Sequence, residues 1–314
     1  MPVYNAERYV ADALESILSQ SFRDFEFLVF DDGSTDASLS IIQRYARQDT
    51  RIRVFAAQHK GLTCLLNESI QVARGTFIAR MDSDDVSLAT RMEEQVEYLK
   101  RNPSCVAVGC DLLIIGTDGE TLGIDRHETQ PEAVEQLLLN GTLGVVTHPA
   151  SMMRRDALLA IGSYREKFDG LEDFDLLLRL SEVGQLSNIS KVLFKYRIHE
   201  RSVCSTRFRT QQRYADTIIR QARLRRGLKP LKRSVWPLIH PADDEAARLQ
   251  LWSGCFLGLG NKTMALQYAF SALHRQPLSW TSWLALGRVL LPAQLRKVAR
   301  NIVVNGVLPE QVIS

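Results

Sequence analysis

The feature that most limits how this chain can fold is a regular exchange, over residues 1 to about 110, of short apolar runs with longer stretches of helical periodicity. Residues 25–30, 52–55 and 77–81 read as buried strands, because short, mainly apolar runs closed by polar turns suit a covered sheet. Between them, Ala6, Tyr9, Val10, Ala13, Leu14, Ile17 and Leu18 share one face of a helix that Asn5 can cap. Leu39, Ile42 and Tyr45 mark a second helix, and residues 62–73 a third. Strand and helix in alternation predict a sheet with parallel strands and helices on its faces.

Further along, a helix over 88–101 and an apolar run at 106–109 continue the pattern, while residues 112–115 and Thr117-Asp118-Gly119-Glu120 suggest a hairpin or loop excursion. Helices at 155–161 and 174–183 and a strand at 192–196 follow in looser order, so a mixed sheet with some antiparallel strands is expected. This α/β domain is expected to span residues 1–205. Residues 206–314 carry helical patterns at 245–259, 263–274 and 279–290, after a connection broken by Pro230, Pro237 and Pro241. Ala265, Leu266, Ala269, Ala272, Leu273 and then Pro277 resemble one half of a helix-turn-helix repeat; arrays need about three such units, so a C-terminal helical annex is the reading.

A chain of 314 residues with 45% hydrophobic and 24% charged residues can bury a large core and is not of disordered type. Its five cysteines are odd in number and form no CxxC pair, which argues against a disulfide framework or a zinc site. No apolar run reaches the roughly 18 residues of a membrane span, and MPVYNAERYV lacks a signal peptide's basic start and apolar stretch; a cytoplasmic protein is expected. From Arg201 to Arg233 a run of basic residues meets one acid, Asp216, with Tyr214, Ile218 and Leu224 as an apolar side. That pattern suits peripheral contact with the anionic inner face of a membrane, or alternatively a solvated helix packed on the catalytic domain. It lacks the interleaved stacking aromatics of nucleic-acid binding.

Acidic residues stand where the strands end: Asp31 and Asp32 after 25–30, and Asp82, Asp84 and Asp85 after 77–81. Glu172 and Asp173 stand before a helix. Ligands of open α/β sheets collect beyond the carboxyl ends of the strands, and carboxylates gathered there repel one another unless a cation or a hydrogen-bonded ligand compensates. Asp82-Ser83-Asp84 offers hard oxygen donors suited to Mg²⁺ or Mn²⁺, with a diphosphate as natural co-ligand. Each group taken alone is also ordinary turn or cap chemistry. No Gly-x-Gly-x-x-Gly follows the first strand and no Gly-Lys-Ser/Thr loop is present, which disfavours dinucleotide oxidoreductases and P-loop proteins.

Taken in order, Pro2-Val3-Tyr4-Asn5-Ala6-Glu7, Asp31-Asp32-Gly33-Ser34-Thr35-Asp36, Met81-Asp82-Ser83-Asp84-Asp85, and Gly170-Leu171-Glu172-Asp173-Phe174-Asp175-Leu176 with Tyr196-Arg197-Ile198-His199 resemble glycosyltransferase family 2, inverting enzymes of GT-A fold. The resemblance covers residues 1 to about 205 and implies transfer of a sugar from a UDP-linked donor to a hydroxyl acceptor, such as a surface polysaccharide or lipid-linked glycan. It implies that Pro2, Val3, Tyr4 and Glu7 line the nucleotide pocket, that Asp32 faces the uracil, and that Lys60 and Gly61 lie near base and ribose. Asp82 is implied at ribose or metal, Asp84 and His199 at the Mn²⁺ or Mg²⁺ ion, His148 toward the acceptor, Arg197 among the donor-binding residues, and Asp173 as base supported by Glu172.

Two departures from the family pattern stand out. Members carry several apolar residues ahead of the Pro-Val-Tyr-Asn segment, absent here before Met1, so a start further upstream is expected, with a shortened first strand as the alternative. Ala89 stands before Thr90-Arg91-Met92 where members often have proline, a change in loop stiffness rather than chemistry. Two rival functions remain at this stage: a sugar nucleotidyltransferase, and a nucleotide-sugar-binding protein without turnover.

Overall fold

A computed structural model of the chain describes residues 1–199, 208–231, 245–258 and 260–291. Two compact units follow from its internal contacts, Met1–Leu238 and Ile239–Ser314. In the first, strands β1 (Pro2–Val3), β2 (Phe27–Asp31) and β3 (Ile52–Ala56) form a parallel sheet in that order. The second sheet runs β4 (Phe77–Ala79), β8 (Met152–Arg154), β6 (Cys105–Ile115), β9 (Gln185–Arg197), β5 (Val86–Ser87), and β7 (Thr121–Asp125) pairs with β6. The β6–β9 ladder is parallel and the other pairings in this sheet are antiparallel, as the mixed-sheet expectation requires.

Helices α1 (Val10–Leu18), α2 (Ser38–Ala46), α3 (Leu62–Val72), α4 (Arg91–Arg101), α5 (Pro131–Leu139), α6 (Arg155–Ala160) and α7 (Glu172–Leu180) separate these strands. Alternation along β6 and β8 sends neighbouring side chains to opposite faces. Ala107 and Met153 join Leu66, Leu138, Val146, Phe174 and Leu178 in one core, while Val108 and Met152 join Met92, Val96 and Leu99 of α4 in another. Helix α8 (Phe208–Arg225) adds Ala215, Ile218, Ile219 and Ala222 to the first of these cores.

Two local expectations are corrected and one is met. Asn5 does not cap α1: its φ is +49°, its Oδ1 accepts the Thr35 N–H at 2.8 Å, and the helix begins only after Tyr9. The hairpin foreseen at 112–115 is present: residues 112–115 end the eleven-residue β6 and pair antiparallel with β7 across the turn at 116–120, and the interior Asp111 accepts the His127 N–H at 2.9 Å and faces the Arg126 guanidinium. The strand foreseen at 192–196 begins at Gln185, because Ser187 and Asn188 are buried with partners, donating to the carbonyls of Thr129, Glu128 and Val145.

In the second unit, α9 (Glu245–Gly258), α10 (Lys262–Arg275) and α11 (Trp280–Leu290) follow one another. Asn261 caps α10 by accepting the Met264 N–H at 3.0 Å, and the buried Ala265, Ala269 and Ala272 let neighbouring helices approach closely. Trp252, Phe256 and Tyr268 form a mutual aromatic cluster, with centroid distances of 5.9, 5.1 and 6.2 Å.

Candidate active site

The turn at Asp82-Ser83-Asp84-Asp85 leaves β4 and enters β5, and the pairing of Val86 with Lys195 brings this turn beside the end of β9. Arg197 secures the junction. Its N–H donates to Asp85 Oδ1 and its Nε to the Asp84 carbonyl, both at 2.7 Å, and its Nη1 reaches the carbonyls of Gly116 and Thr117 at 3.2 Å. The guanidinium also lies over the Tyr9 ring, so its donors serve the carboxylate turn itself. His199, two residues on, places Nε2 at 2.8 Å from Asp84 Oδ2.

Carboxylate oxygens of Asp82, Asp84 and Asp85 lie within 4.8 Å of one another. Burial and the charges of Asp84 and Asp82 push Asp85 well above the ordinary carboxylate range, and its Oδ2 is buried without a hydrogen-bond partner. Asp82 is raised by burial and by Asp84, although Arg80 opposes the shift by pairing with it. Hard oxygen donors, mutual repulsion and an orphaned carboxylate oxygen together fit a divalent cation. Asp82 and Asp84 would hold it with Asp85, and His199 stands beside Asp84.

The signal missed in the sequence is Arg80. It sits at the end of the strand that delivers Asp82, is 6% exposed, and its charge reaches Asp82, Glu172, Asp173, Tyr164 and His148. A charged residue inside an apolar strand, one position before Met81-Asp82, was the available clue. Arg91, fully buried, holds this region from behind: it donates to the carbonyls of Arg80 and Pro149 at 3.1 Å and covers the Phe194 ring.

Glu172 and Asp173 open α7, whose terminal N–H groups carry partial positive charge. Glu172 Oε2 accepts the Gly170 N–H at 2.8 Å and Asp173 Oδ1 accepts the Phe174 N–H at 2.7 Å. Burial nevertheless dominates: with the charge of Asp173 it pushes Glu172 up to about 7, and it raises Asp173 too, assisted by Asp82 and opposed by Arg80. Asp173 thus feels the charge of the metal-type turn directly. Asp175 plays a different part, being 1% exposed and paired with the guanidiniums of Arg165 and Arg179.

His148 begins a 3₁₀ turn, is buried, and meets the Tyr164 hydroxyl at 2.6 Å through Nε2. Burial first and Arg80 second lower its proton affinity well below the usual histidine range, so the ring is neutral. The structure brings it toward Arg80, with the Tyr164 hydroxyl as its side-chain partner.

The other acidic strand end lies on the three-stranded sheet. Val3 accepts the Asp32 N–H at 2.8 Å through its carbonyl and is buried, and Pro2 pairs with Phe30. Asp32 is 4% exposed, its Oδ1 accepts the Lys60 N–H at 2.7 Å, and its Oδ2 accepts the Gly61 N–H at 3.1 Å. The Lys60 ammonium turns away to Glu68, and Gly61 has a φ of +91°, a conformation open to glycine. Tyr4 is exposed, and Glu7 accepts the Ala37 N–H at 2.9 Å, bracing the start of α2.

Residues 1–162 match the family described as Glycosyl transferase family 2. The chain is 34% identical over 203 residues to a Bacillus subtilis protein named as the glycosyltransferase EpsE, covering 63% of this chain and 71% of that one. It is 31% identical over 206 residues to the O-antigen biosynthesis glycosyltransferase WbnJ of Escherichia coli, covering 64% and 79%. Among solved structures, S. aureus TarS 1-349 in complex with UDP-GlcNAc superposes with a TM-score of 0.54 at 17% identity, over 96% of this chain and 90% of that one. A mannosyltransferase from Pyrobaculum calidifontis, in complex with GDP-Man and Mn²⁺, gives the same TM-score and identity over 96% and 79%. These folds agree with the GT-A-type mixed sheet built above, and on the family match the chain belongs to glycosyltransferase family 2.

Proposed function

We propose that this chain is an inverting glycosyltransferase that moves a sugar from a UDP-linked donor to a hydroxyl group of a surface polysaccharide or lipid-linked glycan. The observation that carries the reading is the electrostatic contact between two acidic groups from distant parts of the chain, since Asp82 acts on Asp173 and both act with Arg80. Donor activation and proton removal need acidic groups on opposite sides of the reacting carbon, and we assign these two groups to those sides. TarS is known in complex with UDP-GlcNAc and the Pyrobaculum mannosyltransferase in complex with GDP-Man and Mn²⁺, which supports a nucleotide-sugar donor here.

In this reading Asp82 and Asp84, with His199, hold Mn²⁺ or Mg²⁺, and Asp85 contributes its unpartnered oxygen. A bound divalent ion offsets negative charge on a diphosphate. Arg80 balances the carboxylates from the buried side. Asp173 accepts the proton of the acceptor hydroxyl as the hydroxyl attacks; its raised proton affinity makes it a stronger base than an ordinary aspartate. Glu172 fixes the loop at Gly170 that precedes it. Tyr4, Asp32, Lys60 and Gly61 face the nucleoside, with Pro2, Val3 and Glu7 shaping its floor, and His148 with Tyr164 borders the acceptor side. One displacement suffices, and the anomeric configuration inverts.

No helix among the described residues is long and apolar enough to cross a membrane. We place the protein in the cytoplasm at the inner face of the membrane, held by charge alone. Ile218 is buried in the core of the first unit and Tyr214 packs against that core. Arg225 and Arg226 pair with Glu182. Incubation of the protein with Mn²⁺ and a panel of nucleotide-sugars tests the function. Release of UDP from at least one UDP-sugar, with inverted configuration in the sugar product, is expected. Consumption of a nucleoside triphosphate and a sugar phosphate instead would assign a nucleotidyltransferase, and UDP binding without turnover would assign a binding protein.

A further inference from the structure

The carboxylate of Asp32 is buried, and three donors from one loop converge on it. Backbone N–H groups of Lys60 and Gly61 take Oδ1 and Oδ2, and His59 Nδ1 lies 2.9 Å from Oδ2. The imidazole does not sink into the protein. It is 61% exposed and lies against the exposed ring of Tyr4, with ring centroids 4.5 Å apart and planes tilted by 35°. The loop can come this near because residue 33 is glycine: a Cβ there would stand 3.1 Å from the His59 nitrogen and 3.3 Å from the Ala57 carbonyl, at a φ of +75°.

A flat ring that lies against Tyr4 and presents an N–H to a buried carboxylate has the recognition features of a nucleobase bearing a ring imide N–H. We propose that His59 occupies the nucleobase subsite in the nucleotide-free protein and leaves it when the donor binds. This rests on the nucleotide-sugar reading of the same site and adds to it a residue that competes with the donor. The two backbone donors belong to the loop and can stay, whereas the imidazole is a side chain with open solvent to rotate into. Both surfaces a base needs, the Tyr4 face and a lone pair of Asp32 Oδ2, are the ones His59 covers. Apparent affinity then equals the intrinsic affinity scaled by the fraction of molecules with His59 displaced.

The test is calorimetric titration of UDP and of inorganic pyrophosphate, both with Mn²⁺, into the wild-type chain and His59→Ala. The substitution is on an exposed side chain, and an unchanged melting temperature of the free protein checks the fold. The expected result is UDP binding tighter by roughly three- to tenfold in H59A, with pyrophosphate affinity unchanged, because pyrophosphate has no base to compete. Equal or weaker UDP binding in H59A overturns the proposal, and weaker binding would make His59 a wall of the base pocket. An equal gain for UDP and pyrophosphate also overturns it, since the effect would then lie at the phosphates. If wild type and variant both bind pyrophosphate and neither binds UDP or another nucleoside diphosphate more tightly than pyrophosphate, the nucleotide-sugar reading falls and this proposal falls with it.

Discussion

Replacing Glu172 with Gln should stabilise the metal-free protein above neutral pH, although the residue stands beside the proposed base. Glu172 is 5% exposed, and burial together with the Asp173 charge raises its carboxyl from 4.5 to about 7. At about 1.4 kcal/mol per unit, that rise corresponds to about 3 kcal/mol. The sign follows from proton binding. Below the unfolded value both states are protonated and the contribution is favourable in full; between 4.5 and about 7 the unfolded chain loses its proton while the folded one keeps it, so stability falls as pH rises. Above that window the folded protein carries a buried anion next to another one. Gln keeps an oxygen to accept the Gly170 N–H and removes the charge. Urea unfolding in chelator, at pH 4.5 and pH 8, measures the difference. Far-UV circular dichroism should follow it, because three of the four tryptophans, Trp252, Trp280 and Trp283, lie in the second unit. E172Q should match wild type at pH 4.5 and exceed it by up to about 3 kcal/mol at pH 8. Equal stability at both pH values, or a variant weaker at pH 8, would refute the buried-anion argument.

Asp173→Asn keeps the size of the side chain and an acceptor for the Phe174 N–H, so it should fold and bind UDP normally while transfer slows by about 10²- to 10⁴-fold. Full transfer at saturating donor and acceptor would move the base elsewhere. Asp175→Asn leaves the guanidiniums of Arg165 and Arg179 without their charge partner and should cost about 3 kcal/mol in unfolding experiments; a neutral result would show that the pair is dispensable. Protein mixed with anionic vesicles should sediment at low salt and be released as salt rises, because exposed charges are screened over about 8 Å at physiological ionic strength. Equal binding to neutral vesicles would point to apolar contact.

The acidic strand ends were legible because burial forces apolar runs on a central sheet, and the first polar residues after such a run stand at its edge. Asp32, Asp82 and Asp84 could be placed on that ground before any coordinates, and Asp173 by its place before a helical pattern. Long-range satisfaction of polar groups was not legible. Residues 185–191 stood outside the strand expected at 192–196, yet Ser187 and Asn188 lie in β9 because Thr129, Glu128 and Val145 supply carbonyl acceptors from segments 40 or more residues away. Helix α5 did leave a signal, with Pro131 at its start and Val134 and Leu138 on one face, and it went unread. Asn5 misled because an Asn before a helical pattern usually caps it, whereas here Thr35 offers a better donor. His59 acts through Asp32, distant in sequence, and Arg80 reaches Glu172 and Asp173 as well as its neighbour Asp82; pattern alone cannot assign those long-range partners.

The central claim is that the aspartate turn joins a nucleoside diphosphate to the protein through a divalent ion. Its most direct test is the melting transition of the wild-type chain and Asp84→Ala with UDP in Mn²⁺ and with UDP in chelator. A ligand bound only by the folded state raises the transition. The account predicts a larger UDP shift with Mn²⁺ than with chelator for wild type, and no such difference for D84A. Equal UDP shifts with Mn²⁺ and chelator in wild type would contradict it.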